Sequence, residues 1–123
     1  MILADTSIWI DHLRKGDKLL AALLEKGRVV MHPMIVGELA CGSLRDRAIL
    51  LRLWRNLPPL TPVADEAALT FIEAKELMGK GIGFVDAHLL AAVAVEPGAR
   101  LWTRDKRLAG VAELLKLDWE EKT

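Results

Sequence analysis

Four acidic residues hold positions in the sequence that suggest a shared chemical role: Asp5, Glu38, Asp86 and Asp105. Asp5 directly follows an apolar run at residues 2–4, and Asp105 follows a second apolar run, residues 101–103, by two residues. Mg²⁺ and Mn²⁺ prefer hard oxygen ligands, commonly one or two carboxylates completed by water and substrate phosphate. Such an ion neutralises phosphate charge and lowers the pKa of a bound water. The four acids therefore predict a metal site suited to cleaving phosphate esters.

The surroundings of Glu38 and Asp86 favour this hypothesis. Glu38 lies in a predicted helix whose other residues are almost all apolar, and Asp86 lies in the first turn of another apolar helix. A carboxylate in such a position is energetically costly unless it is paired or bound to a cation. For a single acid a structural alternative stays open, because Asp86 and Asp105 would also suit the start of a helix as N-terminal caps. Hydroxyl groups of Thr6, Ser7 and Thr103 are candidates for holding the carboxylates or the water shell.

Short apolar runs alternate with amphipathic segments along the chain, which sets the order of strands and helices. Strands are predicted at residues 2–4, 29–31 and 101–103, with a short extended segment at 60–63 and an edge strand at 117–119. Helices are predicted at residues 7–13, 18–25, 34–41, 50–57, 85–95 and 108–115. A further helix, capped by Asp65, has its apolar stripe at Ala67, Phe71, Ala74 and Met78.

Strands that alternate with helices pair in parallel through right-handed crossovers. The sequence therefore predicts an α/β fold, a three-layer α/β/α sandwich around a short parallel sheet, as one domain over residues 1–123. Ligands of open sheets bind at the carboxyl ends of the strands. Asp5 and Asp105 are both predicted at that edge.

Composition excludes some classes and leaves others open. The 17 basic and 17 acidic residues give a net charge of zero, so the total gives no signal for nucleic-acid binding. Basic side chains nevertheless flank Asp105, and Arg104, Lys106 and Arg107 are candidate contacts to phosphate. The single cysteine, Cys41, excludes an internal disulfide and is expected to be a buried thiol. The start of the chain does not resemble a signal peptide and no apolar run is long enough to span a bilayer, so we expect a cytoplasmic protein without a membrane partner.

Four short motifs around these acids occur in an order and spacing that closely resemble the PIN-domain nucleases, and in particular the VapC toxins of bacterial toxin–antitoxin pairs. The motifs are LADTS at residues 3–7, GELACG at 37–42, GFVDAH at 83–88 and LWTRD at 101–105. Each motif alone is a weak signal, whereas four in the correct order along essentially the whole chain are a strong one.

The resemblance implies a PIN-like fold and cleavage of RNA that depends on Mg²⁺ or Mn²⁺, leaving a 5′-phosphate and a 3′-hydroxyl. It implies that Asp5, Glu38 and Asp86 are the core metal-binding acids and that Asp105 is a fourth, more variable one. Thr6 or Ser7, and Thr103, match supporting hydroxyl positions. A homodimer and inhibition by a small VapB-type antitoxin protein are also implied, and Trp9 is a candidate for a dimer or antitoxin surface.

Two other readings are weighed against a ribonuclease. Receiver domains and haloacid-dehalogenase phosphatases also hold Mg²⁺ with aspartates. A receiver domain needs two adjacent acids at the end of the first strand, and Asp5 has no acidic neighbour. A dehalogenase-type phosphatase needs a second aspartate two residues after the first, where this chain has Ser7. A catalytically inactive PIN-like module that binds nucleic acid or protein would lack one of the acids, and all four are present. A short upstream reading frame for a small DNA-binding protein would favour the toxin.

Overall fold

The computed structural model describes residues 1–121. Within them, three short strands form a parallel sheet: β1 (Ile2–Ala4), β2 (Val29–Val30) and β3 (Arg100–Trp102). Their order in the sheet is β2-β1-β3. Leu3 in the central strand pairs with Val30 on one side and Leu101 on the other. The predicted parallel sheet is confirmed, and β1 and β3 end at the same edge.

Helices connect and cover the strands, and the predicted α/β alternation is confirmed. Within residues 1–121 they are α1 (Thr6–Lys15), α2 (Lys18–Glu25), α3 (Pro33–Ala40), α4 (Arg47–Asn56), α5 (Asp65–Ala74), α6 (Phe84–Val95) and α7 (Lys106–Leu114). Among these described residues, no helix is long and apolar enough to cross a membrane.

The core lies on both faces of the sheet. All three residues of β1 are buried, and successive side chains of a strand point to opposite faces, so layers of helices cover the sheet on both sides. Helix α6 is the most deeply buried helix, with residues 87–93 all inaccessible, and it packs against α5 and β3. Trp54 and Trp102 belong to the core, as predicted. The arrangement is the three-layer sandwich expected from the sequence.

Some local predictions are wrong. The first residue of α5 is Asp65 itself, and Ala64 occupies the cap position. The predicted apolar stripe is also only partly right: the buried side of α5 runs through Ala68, with Phe71 and Ile72 half-buried, whereas Ala67, Ala74 and Met78 are exposed. The edge strand predicted at 117–119 is reduced to one isolated bridge between Leu101 and Asp118.

Two single residues also differ from expectation. Cys41 is exposed, because it lies at the end of α3 where the chain turns away from the core. Trp9 is buried and its ring packs edge-on against Trp54, with ring centroids 5.9 Å apart. Trp9 is therefore a core residue and does not form a dimer or antitoxin surface.

Candidate active site

Asp5 and Asp105 lie at the carboxyl edge of the sheet, where each also begins a helix. Asp5 follows β1, and its Oδ1 accepts hydrogen bonds from the backbone N–H groups of Ser7 at 3.0 Å and Ile8 at 3.4 Å, which caps α1. Asp105 caps α7 in the same way, accepting from the N–H groups of Arg107 at 2.9 Å and Leu108 at 3.1 Å. The capping alternative raised for Asp105 is thus confirmed, and Asp5 is a cap as well. In each residue the cap occupies only one carboxylate oxygen.

Two hydroxyl groups hold the carboxylate of Asp5. The hydroxyl of Ser7 donates to Oδ1, and the hydroxyl of Thr103 donates to Oδ2. These hydroxyls are fixed in turn by the loop between β3 and α7: the N–H of Arg104 donates to Ser7 Oγ at 3.0 Å, and the N–H of Asp105 donates to Thr103 Oγ1 at 3.1 Å. Two of the three predicted supporting residues therefore contact Asp5.

The direction of each hydrogen bond follows from the number of protons. A hydroxyl has one proton to donate and accepts with its lone pairs. Because Ser7 and Thr103 each accept from a backbone N–H, each can direct its single proton to Asp5. Their oxygens are 3.4 Å apart, and neither has a second proton for the other. The two hydroxyls thus point their protons at an ionised carboxylate, which is the form that binds a cation.

Burial opposes that ionised form. Asp5 is only 5 % exposed, and desolvation raises its pKa above the usual aspartate value, while the hydrogen bonds from Ser7, Thr103 and the backbone of Ile8 lower it in part. The net result is a raised pKa. A divalent cation beside Asp5 would remove this penalty, since a nearby positive charge favours the carboxylate.

Glu38 and Asp86 come close enough to the two strand-end acids to interact with them electrostatically. Partial burial raises the pKa of Glu38, and the negative charges of Asp86 and Asp5 raise it further. Burial likewise raises the pKa of Asp86, the N–H of Gly83 lowers it in part, and the charges of Asp105 and Asp5 raise it. We call these four residues the acid cluster.

Local sequence explains how the helices deliver these two side chains. The ring of His32 caps α3, accepting from the N–H of Met34 at 3.0 Å, and Pro33 occupies the first helical turn, where no N–H donor is needed. Glu38 then follows within the same short helix. Helix α6 begins after Gly83, whose N–H donates to Asp86 Oδ2 at 3.3 Å. Asp86 is therefore fixed in the first turn of α6, within electrostatic range of Asp105 and Asp5.

The donor set suits a hydrated Mg²⁺ or Mn²⁺ ion. All four groups are carboxylates, the preferred ligands of these ions. Burial raises the pKa of Asp5, and burial together with the charges of neighbouring acids raises the pKa of Glu38 and of Asp86. Within residues 1–121, no three Asp, Glu, His or Cys side chains lie close enough together to ligate one ion directly. Mg²⁺ usually keeps several waters and binds one or two carboxylates, so the spacing is compatible with an ion held partly through water.

Thr6 has a different position from the other two hydroxyl residues. It lines a cavity of about 420 Å³ between α1 and the α3–α4 connection, together with Glu38. Ile10 and Leu13 of α1 line the same cavity, and they are 45 % and 38 % exposed. An apolar groove therefore opens directly beside Glu38.

The three candidate phosphate contacts are not equivalent. The guanidinium of Arg104 donates to the carboxylates of Asp11, Asp17 and Glu121. Its contact with RNA stays a prediction, and these ion pairs argue against it. Lys106 and Arg107 are exposed in the first turn of α7, beside Asp105. The side chain of Arg107 lies against Gly81, where a Cβ atom would be 2.6 Å from Arg107 Cδ.

The acids around Arg104 were not singled out from the sequence. Asp17 carries one local signal, since an aspartate ahead of an apolar helical run is a typical N-cap, and it does cap α2. Nothing in the pattern connects Asp11 or Asp17 with Arg104, which is 87 positions beyond Asp17.

Comparison with known proteins agrees with the fold. Residues 2–114 match the family model described as PIN domain. Ribonuclease VapC32 of Mycobacterium tuberculosis is 47% identical over 108 residues, which are 88% of this chain and 87% of the relative. Ribonuclease VapC11 of Mycobacterium tuberculosis and VapC ribonuclease Mb1587 of Mycobacterium bovis are each 30% identical over an alignment of 128 positions, which covers 95% of this chain and 96% of theirs.

The fold and the edge cluster of acids thus define a PIN domain. The chain belongs to the PIN-domain family and, within it, to the VapC ribonucleases.

Proposed function

We propose that the protein is a Mg²⁺- or Mn²⁺-dependent endoribonuclease that acts as the toxin of a toxin–antitoxin pair. The observation that carries the proposal is the acid cluster at the carboxyl edge of the sheet. Burial and the charges of neighbouring members raise the pKa of Glu38 and of Asp86, and none of the ion pairs formed within residues 1–121 includes any of the four acids. Four carboxylates without a neutralising side chain form a site for a cation.

The residues of the cluster have distinct parts in this proposal. Asp5, Glu38 and Asp86 are the principal metal-binding acids, and Asp105 is the fourth. Ser7 and Thr103 keep the Asp5 carboxylate oriented and ionised through the hydrogen bonds described above. When bound, the ion would supply charge neutralisation at the phosphate and a water of lowered pKa. All four acids are intact, so no observation favours an inactive module.

RNA is the proposed substrate, and the relatives named as ribonucleases support it. Lys106 and Arg107 are exposed beside Asp105 and are the best-placed contacts to backbone phosphates. Arg104 was predicted to join them, but its guanidinium is already paired with three carboxylates. A cytoplasmic location fits an enzyme that acts on RNA.

A small VapB-type antitoxin is the proposed protein partner, and a homodimer the proposed assembly. The apolar groove lined by Ile10 and Leu13 ends at Glu38 and suits an apolar peptide segment. A basic side chain from such a segment would pair with the carboxylates and compete with the metal. The groove and the uncompensated negative charge support inhibition at the acid cluster itself. If the antitoxin complex binds Mn²⁺ as tightly as the protein alone, this mode of inhibition is wrong.

The proposed activity is tested by incubating purified protein with total RNA and mapping the new 5′ ends by sequencing. Asp86→Asn and Glu38→Gln remove one charge of the cluster at nearly constant volume. We expect each to lower the cleavage rate about 100-fold or more, because losing metal stabilisation costs about 3 kcal/mol or more in the transition state.

Asp46→Asn is the matched control. Asp46 precedes α4 with a positive φ of 54°, a conformation that asparagine tolerates, and its side chain forms no cap hydrogen bond. The same chemical change there should leave cleavage unaltered. Cleavage that persists in excess EDTA, or full activity of Asp86→Asn, would refute the metal-dependent mechanism.

A further inference from the structure

The side chain of Arg104 is held by carboxylates from three separate segments. Nη1 donates to Asp11 Oδ2 of α1 at 2.9 Å, and Nη2 donates to Asp17 Oδ2 at the start of α2 at 2.6 Å. Nε donates to Glu121 Oε1 at 2.9 Å. We call Arg104 and these three acids the Arg104 clamp. The planar fork of a guanidinium can satisfy several carboxylates at once, which a lysine cannot do with the same geometry.

Neighbouring contacts make the clamp rigid. The guanidinium carbon lies 5.3 Å from the ring centroid of Trp102, and Trp102 Nε1 donates to the same Glu121 oxygen at 2.8 Å. The Asp17 side chain is only 11 % exposed and Arg104 is 30 % exposed, so water screens these charges less than at an open surface. Partial burial tends to lower the pKa of Arg104, but the hydrogen bonds with the three acids raise it, and the net shift is upward. The guanidinium is thus held in its charged form.

The backbone of the same residue reaches the active site. The ion pairs of the Arg104 side chain tie the β3–α7 loop to α1 and to the start of α2. In that loop the N–H groups of residues 104 and 105 donate to Ser7 Oγ and Thr103 Oγ1. Those two hydroxyls hold Asp5. We propose that Arg104 is a positioning residue: its side chain, anchored in the clamp, places the two N–H groups that orient the hydroxyls on the metal-binding carboxylate of Asp5.

The proposal rests on the proposed metal-dependent function and changes the role predicted for Arg104. Three carboxylates around one guanidinium give the clamp a formal charge of −2, which repels phosphate. A positioning role and an RNA contact therefore differ in their consequences. Neutralising the acids of the clamp should weaken metal binding in the first case, whereas in the second it would release Arg104 and strengthen RNA binding.

Four variants separate these cases. Arg104→Gln removes the anchor, and Arg104→Lys keeps the charge without the fork. The double change Asp11→Asn with Glu121→Gln removes two of the three ion pairs of the clamp, while residue 104 is still an arginine. Arg100→Gln is the matched control, because Arg100 is exposed in β3 and its guanidinium donates to the carbonyl of Ala99. None of these residues belongs to the acid cluster.

Two measurements on each protein test the proposal directly, and the Tm and the KM for RNA at low and high salt are determined beside them. The dissociation constant of Mn²⁺ is determined by calorimetry, and hydrogen exchange of the amides of residues 104 and 105 is followed by NMR without metal, corrected for intrinsic rates. We expect about a tenfold weaker Mn²⁺ affinity for Arg104→Gln and the double variant, as for other changes to groups that orient metal ligands. The two amides should exchange faster in the same proteins. Arg104→Lys should fall between them and the wild type, and Arg100→Gln should match the wild type.

Several outcomes would overturn the proposal. Unchanged Mn²⁺ affinity with a raised KM and a weaker salt dependence in Arg104→Gln would make Arg104 an RNA contact. A lower Tm with unchanged affinity and amide exchange would make the clamp merely structural. If Arg104→Gln does not fold, the double variant decides. If wild-type protein binds no Mn²⁺, the proposed metal-dependent function fails, and the exchange of the two amides still decides whether Arg104 positions the loop.

Discussion

Two groups of carboxylates lie on either side of the β3–α7 loop, and they differ in what neutralises them. In the Arg104 clamp, three acids surround one guanidinium at 2.6–2.9 Å. In the acid cluster, no ion pair formed within residues 1–121 involves a member. The two groups meet at consecutive residues, since Arg104 belongs to one and Asp105 to the other.

The pKa shifts show the consequence of this difference. Burial tends to raise the pKa of Asp17, but hydrogen bonds from Leu20 N–H and the Arg104 guanidinium, and the charge of Arg104, lower it overall. Burial and like charges raise the pKa of Glu38 and Asp86. The same functional group is thus stabilised in its charged form where the chain supplies a cation and destabilised where it does not. The second arrangement is what a site that takes its cation from solution requires.

The largest expected effect is stabilisation by metal. A ligand that binds only the folded state at about one hundred times its Kd adds about 2.7 kcal/mol to the free energy of unfolding. Mn²⁺ should therefore raise the Tm of the wild-type protein, and should do so far less for Asp5→Asn, in which asparagine keeps the cap of α1. Thermal melts with EDTA and with Mn²⁺ measure both. Equal stabilisation of the two proteins would remove Asp5 from the metal site.

Removing one charge from each group sharpens the comparison. Without metal near neutral pH, Asp17→Asn should destabilise the protein by about 1–2 kcal/mol, because it breaks a partly buried ion pair while keeping the cap of α2. Asp86→Asn should instead stabilise it by up to about 1 kcal/mol, because it removes mutual repulsion. Urea unfolding in EDTA measures both, with Asp46→Asn as the neutral control. If Asp86→Asn is less stable than the wild type, Asp86 is chiefly a structural cap.

Much of the fold could be predicted from the sequence, because the signals are local. Apolar runs at residues 2–4 and 101–103 are too short for helices and are followed by acids, and both are buried strands that end at one edge. The apolar stripe of α5 is predicted only in part, because alanines occur on both faces of this helix and give no clear apolar side: Ala67 and Ala74 are exposed, whereas Ala68 is buried.

The acid cluster could be predicted for a related reason, and the Arg104 clamp could not. Parallel topology brings the ends of β1 and β3 together, so Asp5 and Asp105 are neighbours once the strands are known. The partners of Arg104 come from α1, the start of α2 and residue 121, which no periodic pattern connects. Arg104 was accordingly predicted from its neighbour Asp105 to contact RNA, since a side chain's direction is set by tertiary packing.

The smallest expected effects are opposite pH dependences of the two groups. Asp86 has a folded-state pKa above the ordinary value of 3.8. At a pH between the unfolded-state pKa and the raised folded-state pKa, the native state therefore binds more protons than the unfolded state. Its contribution to stability is fully present below pH 3.8 and is lost as the pH rises through the raised folded pKa. Asp17 has a folded pKa below 3.8. Its contribution is present above pH 3.8 and is lost as the pH falls through the lowered value.

Other titrating groups would hide these trends in the wild-type protein alone, so the differences between proteins are the useful quantities. The free energy of unfolding is measured in urea from about pH 3 to pH 7 on metal-free wild type, Asp86→Asn and Asp17→Asn. Wild type minus Asp86→Asn should fall with rising pH, because only the wild type loses stability as Asp86 ionises. Wild type minus Asp17→Asn should rise over the same range. A difference for Asp86→Asn that rises with pH would mean that the acid cluster is neutralised within the protein and is not held ready for a metal ion. A difference for Asp17→Asn that falls with pH would mean that Arg104 does not stabilise the Asp17 carboxylate.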